Sequence, residues 1–168
     1  MFQLSGRVSS ISGDPARWQR YQDFGDGLLF TQGRVLHETP DWNGSFSADN
    51  VGWSDQRYTG SYERIGFLKI NGLFDEIPQF YSVDTRTAFV ETGDGVLVLD
   101  DDAQRAANLN AYLPTSISPQ FDLTESRKIG TFRVSATPTT HLDLTGGFTT
   151  TKHSGELPWG ASYGFSND

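Results

Sequence analysis

Asp75, Glu76, Asp84 and Arg86 form the tightest acidic and basic grouping in the 168-residue chain. Two carboxylates serve as an acid–base pair when they stand about 5 to 9 Å apart. Here Pro78 and an expected loop intervene, so the spacing points to an ion and hydrogen-bond cluster that fixes the loop rather than to catalysis. Asp94, Asp100, Asp101 and Asp102 offer oxygens to a hard cation such as calcium, but without the spacing of an EF-hand, and an acidic solvated loop is expected. His37, His141 and His153 are too scattered for a metal triad, and HExxH is absent. With no cysteine there is no thiolate nucleophile, thiolate zinc site, disulfide or CxxCH haem attachment. GxSxG, P-loop and Rossmann signatures are also missing. No nucleophile, metal or acid–base constellation rises above background, and the chain is not expected to be an enzyme.

The elements that would carry these residues are strands. From Ile129 to Thr151 two segments flank a Pro138–His141 turn. Phe132, Val134 and Ala136 share one parity, as do Leu142, Leu144, Gly146 and Phe148, while Arg133, Asp143, Thr145 and Thr149 fall on the other. Period two in both arms predicts a β-hairpin with one apolar and one wet face. The apolar face meets either lipid or a protein core. Upstream, residues 1–26 read as an N-terminal polar and aromatic segment, with a short strand near its start and Asp14-Pro15 opening a turn or helix. Residues 27–76 read as strands: Leu28–Glu38, Trp42–Val51 and the long run Tyr58–Asp75, whose mixed parity allows a bulge or two shorter strands. Residues 77–128 read as a long, partly ordered inter-strand loop holding a small hairpin (Thr87–Val90 with Val96–Leu99) or a short helix (Asp100–Asn110). Residues 129–168 supply the hairpin and the start of the next loop or strand.

Composition narrows the setting. A low apolar fraction of 36% alongside 18 Gly and 12 Phe suits a sheet with one watery face better than a dense core. No apolar run is long enough for a transmembrane helix, so a closed sheet is the remaining way to cross a bilayer. A net charge of −8 without a basic stripe disfavours nucleic acid. Met1–Val8 lacks the charged and apolar regions of a secretory signal, which implies either a cytosolic protein or a chain beginning downstream of the true start. In a barrel, Trp42, Trp53, Trp159, Tyr58, Tyr62 and Tyr163 would supply interfacial girdles. A lumen-facing position would spare Arg64, Lys69, Arg133 and Lys152 the cost of lipid, with Glu63, Asp75, Asp143 and Glu156 as counter-charges; an ordinary solvated sheet face is the alternative.

Three blocks in order carry a family resemblance: Arg20-Tyr21-Gln22-Asp23-Phe24-Gly25-Asp26-Gly27; Asn50-Val51-Gly52-Trp53-Ser54-Asp55-Gln56-Arg57-Tyr58; and Phe74-Asp75-Glu76-Ile77-Pro78 followed by Asp84-Thr85-Arg86-Thr87. Together they resemble the N-terminal part of the large outer-membrane β-barrels of the MtrB/PioB type. The resemblance implies an all-β antiparallel meander forming part of a large transmembrane β-barrel in the bacterial outer membrane. It also implies a role as a sheath for a periplasmic multihaem c-type cytochrome, with haem c in the partner and no cofactor on this chain. The partners implied are the remainder of the barrel, outer-membrane lipid and that cytochrome. The short CxxC near the N-terminus of some members is absent, so no thiol or metal-linked function is expected there. On this reading Phe132, Val134, Ala136, Leu142, Leu144 and Phe148 face lipid, and Arg133, Asp143, Thr145 and Thr149 face the lumen. An outer-membrane porin or solute channel and a soluble secreted β-rich binding protein are the alternatives.

Overall fold

A computed structural model describes residues 1–23, 25–86, 89–93, 96–99, 101–102, 105 and 120–155. Its main body is one antiparallel sheet of seven strands in the order β1-β2-β3-β4-β5-β8-β9. The strands are β1 (Phe2–Arg7), β2 (Gly27–Glu38), β3 (Trp42–Val51), β4 (Arg57–Arg64), β5 (Leu68–Arg86), β8 (Gln120–Thr139) and β9 (Leu142–Gly155). A separate two-stranded hairpin, β6 (Phe89–Gly93) and β7 (Val96–Leu99), lies between β5 and β8 in sequence. Every neighbour in the large sheet is next in the chain apart from the step over β6 and β7, so the fold is a meander.

The run Tyr58–Asp75 resolves into two strands. Gly66 takes φ +72, a left-handed conformation that favours glycine, and turns β4 back into β5. Tyr58, Gly60 and Tyr62 then stand opposite Phe74, Gly72 and Ile70, which is how one parity serves both strands.

The segment expected as loop over 77–128 is much shorter. β5 continues to Arg86 and β8 begins at Gln120, so strand pairing reaches Pro78 opposite Ser126 and Arg86 opposite Gln120. Pro78 does not break β5 because of where its nitrogen points. The Glu76 amide donates to the Gln56 carbonyl at 3.0 Å and the Phe80 amide to the Arg20 carbonyl at 3.0 Å. In an antiparallel strand, residues two apart address the same neighbour, so Pro78 faces the edge beyond the end of β4, where no ladder partner needs its missing N–H. The N-terminal segment caps that edge. Asp14 accepts from the Ala16 and Arg17 amides and starts α1 (Pro15–Gln19) with Pro15 in its first turn, and Ala16 is buried.

Within the expected loop, the small hairpin is present as β6 and β7. Of the expected helix Asp100–Asn110, only Asp101, Asp102 and Arg105 are described, all helical, and Arg105 pairs with Asp102 at 2.7 Å. Asp94, Asp100, Glu156, Trp159 and Tyr163 lie outside the described residues.

Among the described residues the buried apolar side chains are Ala16, Leu29, Ala48 and Leu123, all small or medium, and no large side chain is fully buried. Among the described residues the seven-stranded sheet is a single layer that does not fold over an interior of its own. Its apolar side chains are therefore left for something else to cover.

Candidate functional site

The register sorts the sheet into two chemically different faces. On one, reading across from β2 to β9 near mid-height, stand Val35, Phe46, Gly60, Gly72, Phe132 and Phe148. The rows beside it add Tyr58 with Phe74, and Tyr62, Ile70 and Val134. Ala136 stands opposite Leu144, while Leu142 closes the hairpin opposite Thr139 after a register shift. Rings touch along this face: Trp42 to Tyr62 at 5.7 Å, His37 to Trp42 at 4.6 Å, Phe46 to Tyr58 at 6.5 Å and Tyr58 to Phe74 at 6.1 Å. Phe132 is 49% exposed and Phe148 67%.

The opposite face carries most of the hydroxyls and charges, with Phe30, Leu36, Leu73, Ile77 and Ile129 standing among them. Ser45 bonds Ser61 at 2.7 Å, Ser47 bonds Thr59, Thr145 donates to Ser135 at 3.2 Å, and Thr131 meets Thr149 at 3.5 Å. Arg133 stands opposite Asn71 and Gly147, Asp143 accepts from Thr137 at 2.7 Å, and Lys69 pairs with Glu63 at 3.8 Å. Arg57 sits between Asp49 and Asp75 in register, and Gln32 donates to Asp49 at 3.0 Å. Near one end of this face a hollow of about 370 Å³ is lined by Tyr21, Ile77, Gln79, Glu125, Arg127 and His153. There Glu125 accepts from Tyr81 at 2.9 Å and meets His153 Nδ1 at 2.9 Å.

Phe132, Val134, Ala136, Leu144 and Phe148 are thus brought together on the first face, and Arg133, Asp143, Thr145 and Thr149 on the second. Two cations expected to share the second face do not. Arg64, opposite Leu68 and Trp42, and Lys152, opposite Lys128, both belong to the apolar face, one at each rim, because their parity is that of Ile70 and Phe148. Trp42, Tyr58 and Tyr62 also lie on the apolar face; Trp53 lies in the 52–56 connection with the Arg7 guanidinium 5.9 Å from its ring centre.

The grouping Asp75, Glu76, Asp84 and Arg86 does not form one cluster. Asp75 and Glu76 are adjacent and so point to opposite faces. Asp84 accepts from Ser82 at 2.9 Å, about 25 Å further along β5 at ~3.3 Å per residue, and Arg86 ends the strand opposite Gln120. Glu76 has different partners that sequence reading missed. Its carboxylate, 8% exposed, accepts from Gln56 at 3.0 Å and Ser126 at 2.9 Å and pairs with Lys128 at 3.0 Å. These residues come from β8 and from the connection before β4, so only the cross-strand register reveals them.

In the 52–56 connection, Asp55 accepts from Asn50 at 3.1 Å through Oδ2, while its buried Oδ1 has no hydrogen-bond partner within 3.5 Å among the described residues. Burial, with the nearby Asp23 charge adding to it, pushes the Asp55 carboxyl above its ordinary value. Among the described residues no group of three or more His, Cys, Asp or Glu side chains is placed to hold a metal ion, and no helix is long and apolar enough to cross a membrane.

A one-layer antiparallel meander with an exposed apolar face backed by a hydroxyl and charge face is the wall of a membrane β-barrel. The family model described as outer membrane beta-barrel porin, MtrB/PioB, matches residues 18–167, and the chain belongs to that family. The family is one of structural barrels rather than enzymes and points to the bacterial outer membrane. No curated protein and no solved structure matches the chain significantly.

Proposed function

We propose that this chain is a stretch of barrel wall whose apolar face, with Phe132, Val134, Ala136, Leu142, Leu144 and Phe148, contacts lipid and whose hydroxyl face, with Arg133, Asp143, Thr145 and Thr149, lines a polar lumen. The observation that carries this reading is the segregation of side chains by register from β2 to β9. Among the described residues β1 and β9 end the sheet with no further strand paired to their outer edges. Open edges in hydrocarbon would leave backbone groups unsatisfied at several kcal/mol each. They join further strands of a larger closed barrel.

The lumen houses or docks a multihaem c-type cytochrome, and the barrel insulates its electron path across the outer membrane. What supports this is the family, together with a lumen face of hydroxyls and ion pairs suited to a polar protein surface rather than to an apolar guest. The chain brings no cysteine to attach haem, so the redox centres belong to the partner. The second reading, an open porin or solute channel, is favoured by the mixed charge of the same face. Purification of the complete barrel with haem spectroscopy and single-channel conductance separates them. A sheath carries haem with it and leaks little; a haem-free, conducting barrel refutes the cytochrome role. A detergent-independent, cooperatively folded monomer would instead support a soluble binding protein, a reading that the exposed apolar face opposes.

A further inference from the structure

One rim of the apolar face carries charge. Beyond Phe74 and Phe132, the same face presents Glu76, Lys128 and Lys152 in a single row across β5, β8 and β9. Lys128 and Lys152 stand directly opposite each other, an arrangement that destabilises a strand pair unless a counter-charge lies nearby. Glu76 compensates only one of them, being committed to Lys128, Ser126 and Gln56. Lys152 is exposed and makes no ion pair among the described residues. Ser154 follows it on the same face, opposite Ser126. Two ammonium groups with a single carboxylate, which pairs with only one of them, beside a hydroxyl and at the edge of an apolar band, complement a phosphoryl group at a lipid–water boundary. A lysine stem lies along apolar surface while its charged head stays in the interface.

The connections indicate which boundary this is. At the far rim the strands join through the short turns 39–41, 65–67 and 140–141; at the Lys152 rim they join through 8–26, 52–56 and 87–119. Outer-membrane barrels keep short turns on the periplasmic side and long loops outside.

We propose that Lys128 and Lys152 bind a phosphorylated lipid headgroup of the outer leaflet. The proposal rests on the apolar face being the lipid-facing one. It is tested on the complete barrel in nanodiscs of zwitterionic lipid, titrated with phosphorylated lipid A and with the same glycolipid stripped of its phosphates, with retained lipid read by native mass spectrometry. Lys152→Gln, which leaves the Glu76 contacts intact, is expected to weaken phosphorylated lipid A about fivefold, and Lys128→Gln with Lys152→Gln further. Arg133→Gln, on the other face, is expected to change nothing. Equal retention of the stripped glycolipid, an unaffected Lys152→Gln variant, or full competition by millimolar inorganic phosphate would each overturn the proposal. Quenching of a Phe132→Trp variant by brominated acyl chains reports separately on the underlying reading. If it persists while Lys152→Gln has no effect, only the headgroup site fails; if it is absent, the lipid-facing assignment fails and the site with it.

Discussion

Replacing Phe132 with arginine puts a guanidinium in the middle of the apolar band, where Phe132 stands between Gly72 on β5 and Phe148 on β9. Phe132 is 49% exposed in the chain. A phenylalanine offers roughly 200 Å², so lipid would cover about 100 Å², contributing ~2.5 kcal/mol at ~25 cal/mol per Å². Phe132→Ala is therefore expected to cost about 2 kcal/mol, and arginine at the bilayer midplane adds ~2 to 4 kcal/mol. A combined loss of about 4 to 6 kcal/mol shifts the folding equilibrium roughly a thousandfold or more. Thr131→Arg, one residue away, lies on the hydroxyl face, where its partner is Thr149 at 3.5 Å, and it is expected to cost under about 1 kcal/mol. Urea titration of the complete barrel refolded in vesicles measures both. The reasoning is refuted if Thr131→Arg costs as much as Phe132→Arg, since a one-residue step would then carry no change of environment.

Glu76→Ala leaves Lys128, Gln56 and Ser126 without their shared acceptor and is expected to destabilise the barrel by about 1 to 3 kcal/mol in the same titration, with Asp75→Ala much milder. Gly66→Ala strains a φ of +72 in otherwise open space and should cost about 1 kcal/mol, read as a lower urea midpoint at unchanged slope. Because the Asp55 carboxyl is raised, its neutral form is the one the fold favours, so its contribution is present below the unfolded value and lost as pH rises through the folded one. Asp55→Asn should accordingly stabilise at neutral pH by at most about 1 kcal/mol and lose that advantage below about pH 4, as seen in unfolding curves at several pH values.

Much of the wall was legible because alternation is a local signal. Trp42–Val51, the hairpin around Thr140 and the Asp14-Pro15 helix start follow from parity, turn chemistry and capping within a few residues. The extent of β5 and β8 was not, since Pro78 reads as a breaker until the end of β4 is known, and that end is a tertiary fact. The grouping around Asp75 and Glu76 failed for a simpler reason: adjacent strand residues diverge, and period two already forbids them one cluster. The partners of Glu76 were invisible because Ser126 and Lys128 meet it only across the register of two strands separated by 87–119. Charge alone points Arg64 and Lys152 to the lumen, whereas their parity, shared with Ile70 and Phe148, puts both on the apolar face.

The central claim is that side-chain environment alternates residue by residue along β8 between hydrocarbon and water. The chain has no native cysteine, so, once any cysteine elsewhere in the complete barrel is replaced, single cysteines at 131 to 136 can each carry a spin label within a bilayer. Labels at 132, 134 and 136 should be accessible to oxygen dissolved in lipid, and those at 131, 133 and 135 to a water-soluble nickel chelate or buried against luminal protein. A profile without period two, or one with oxygen accessibility at the odd positions, would contradict the account.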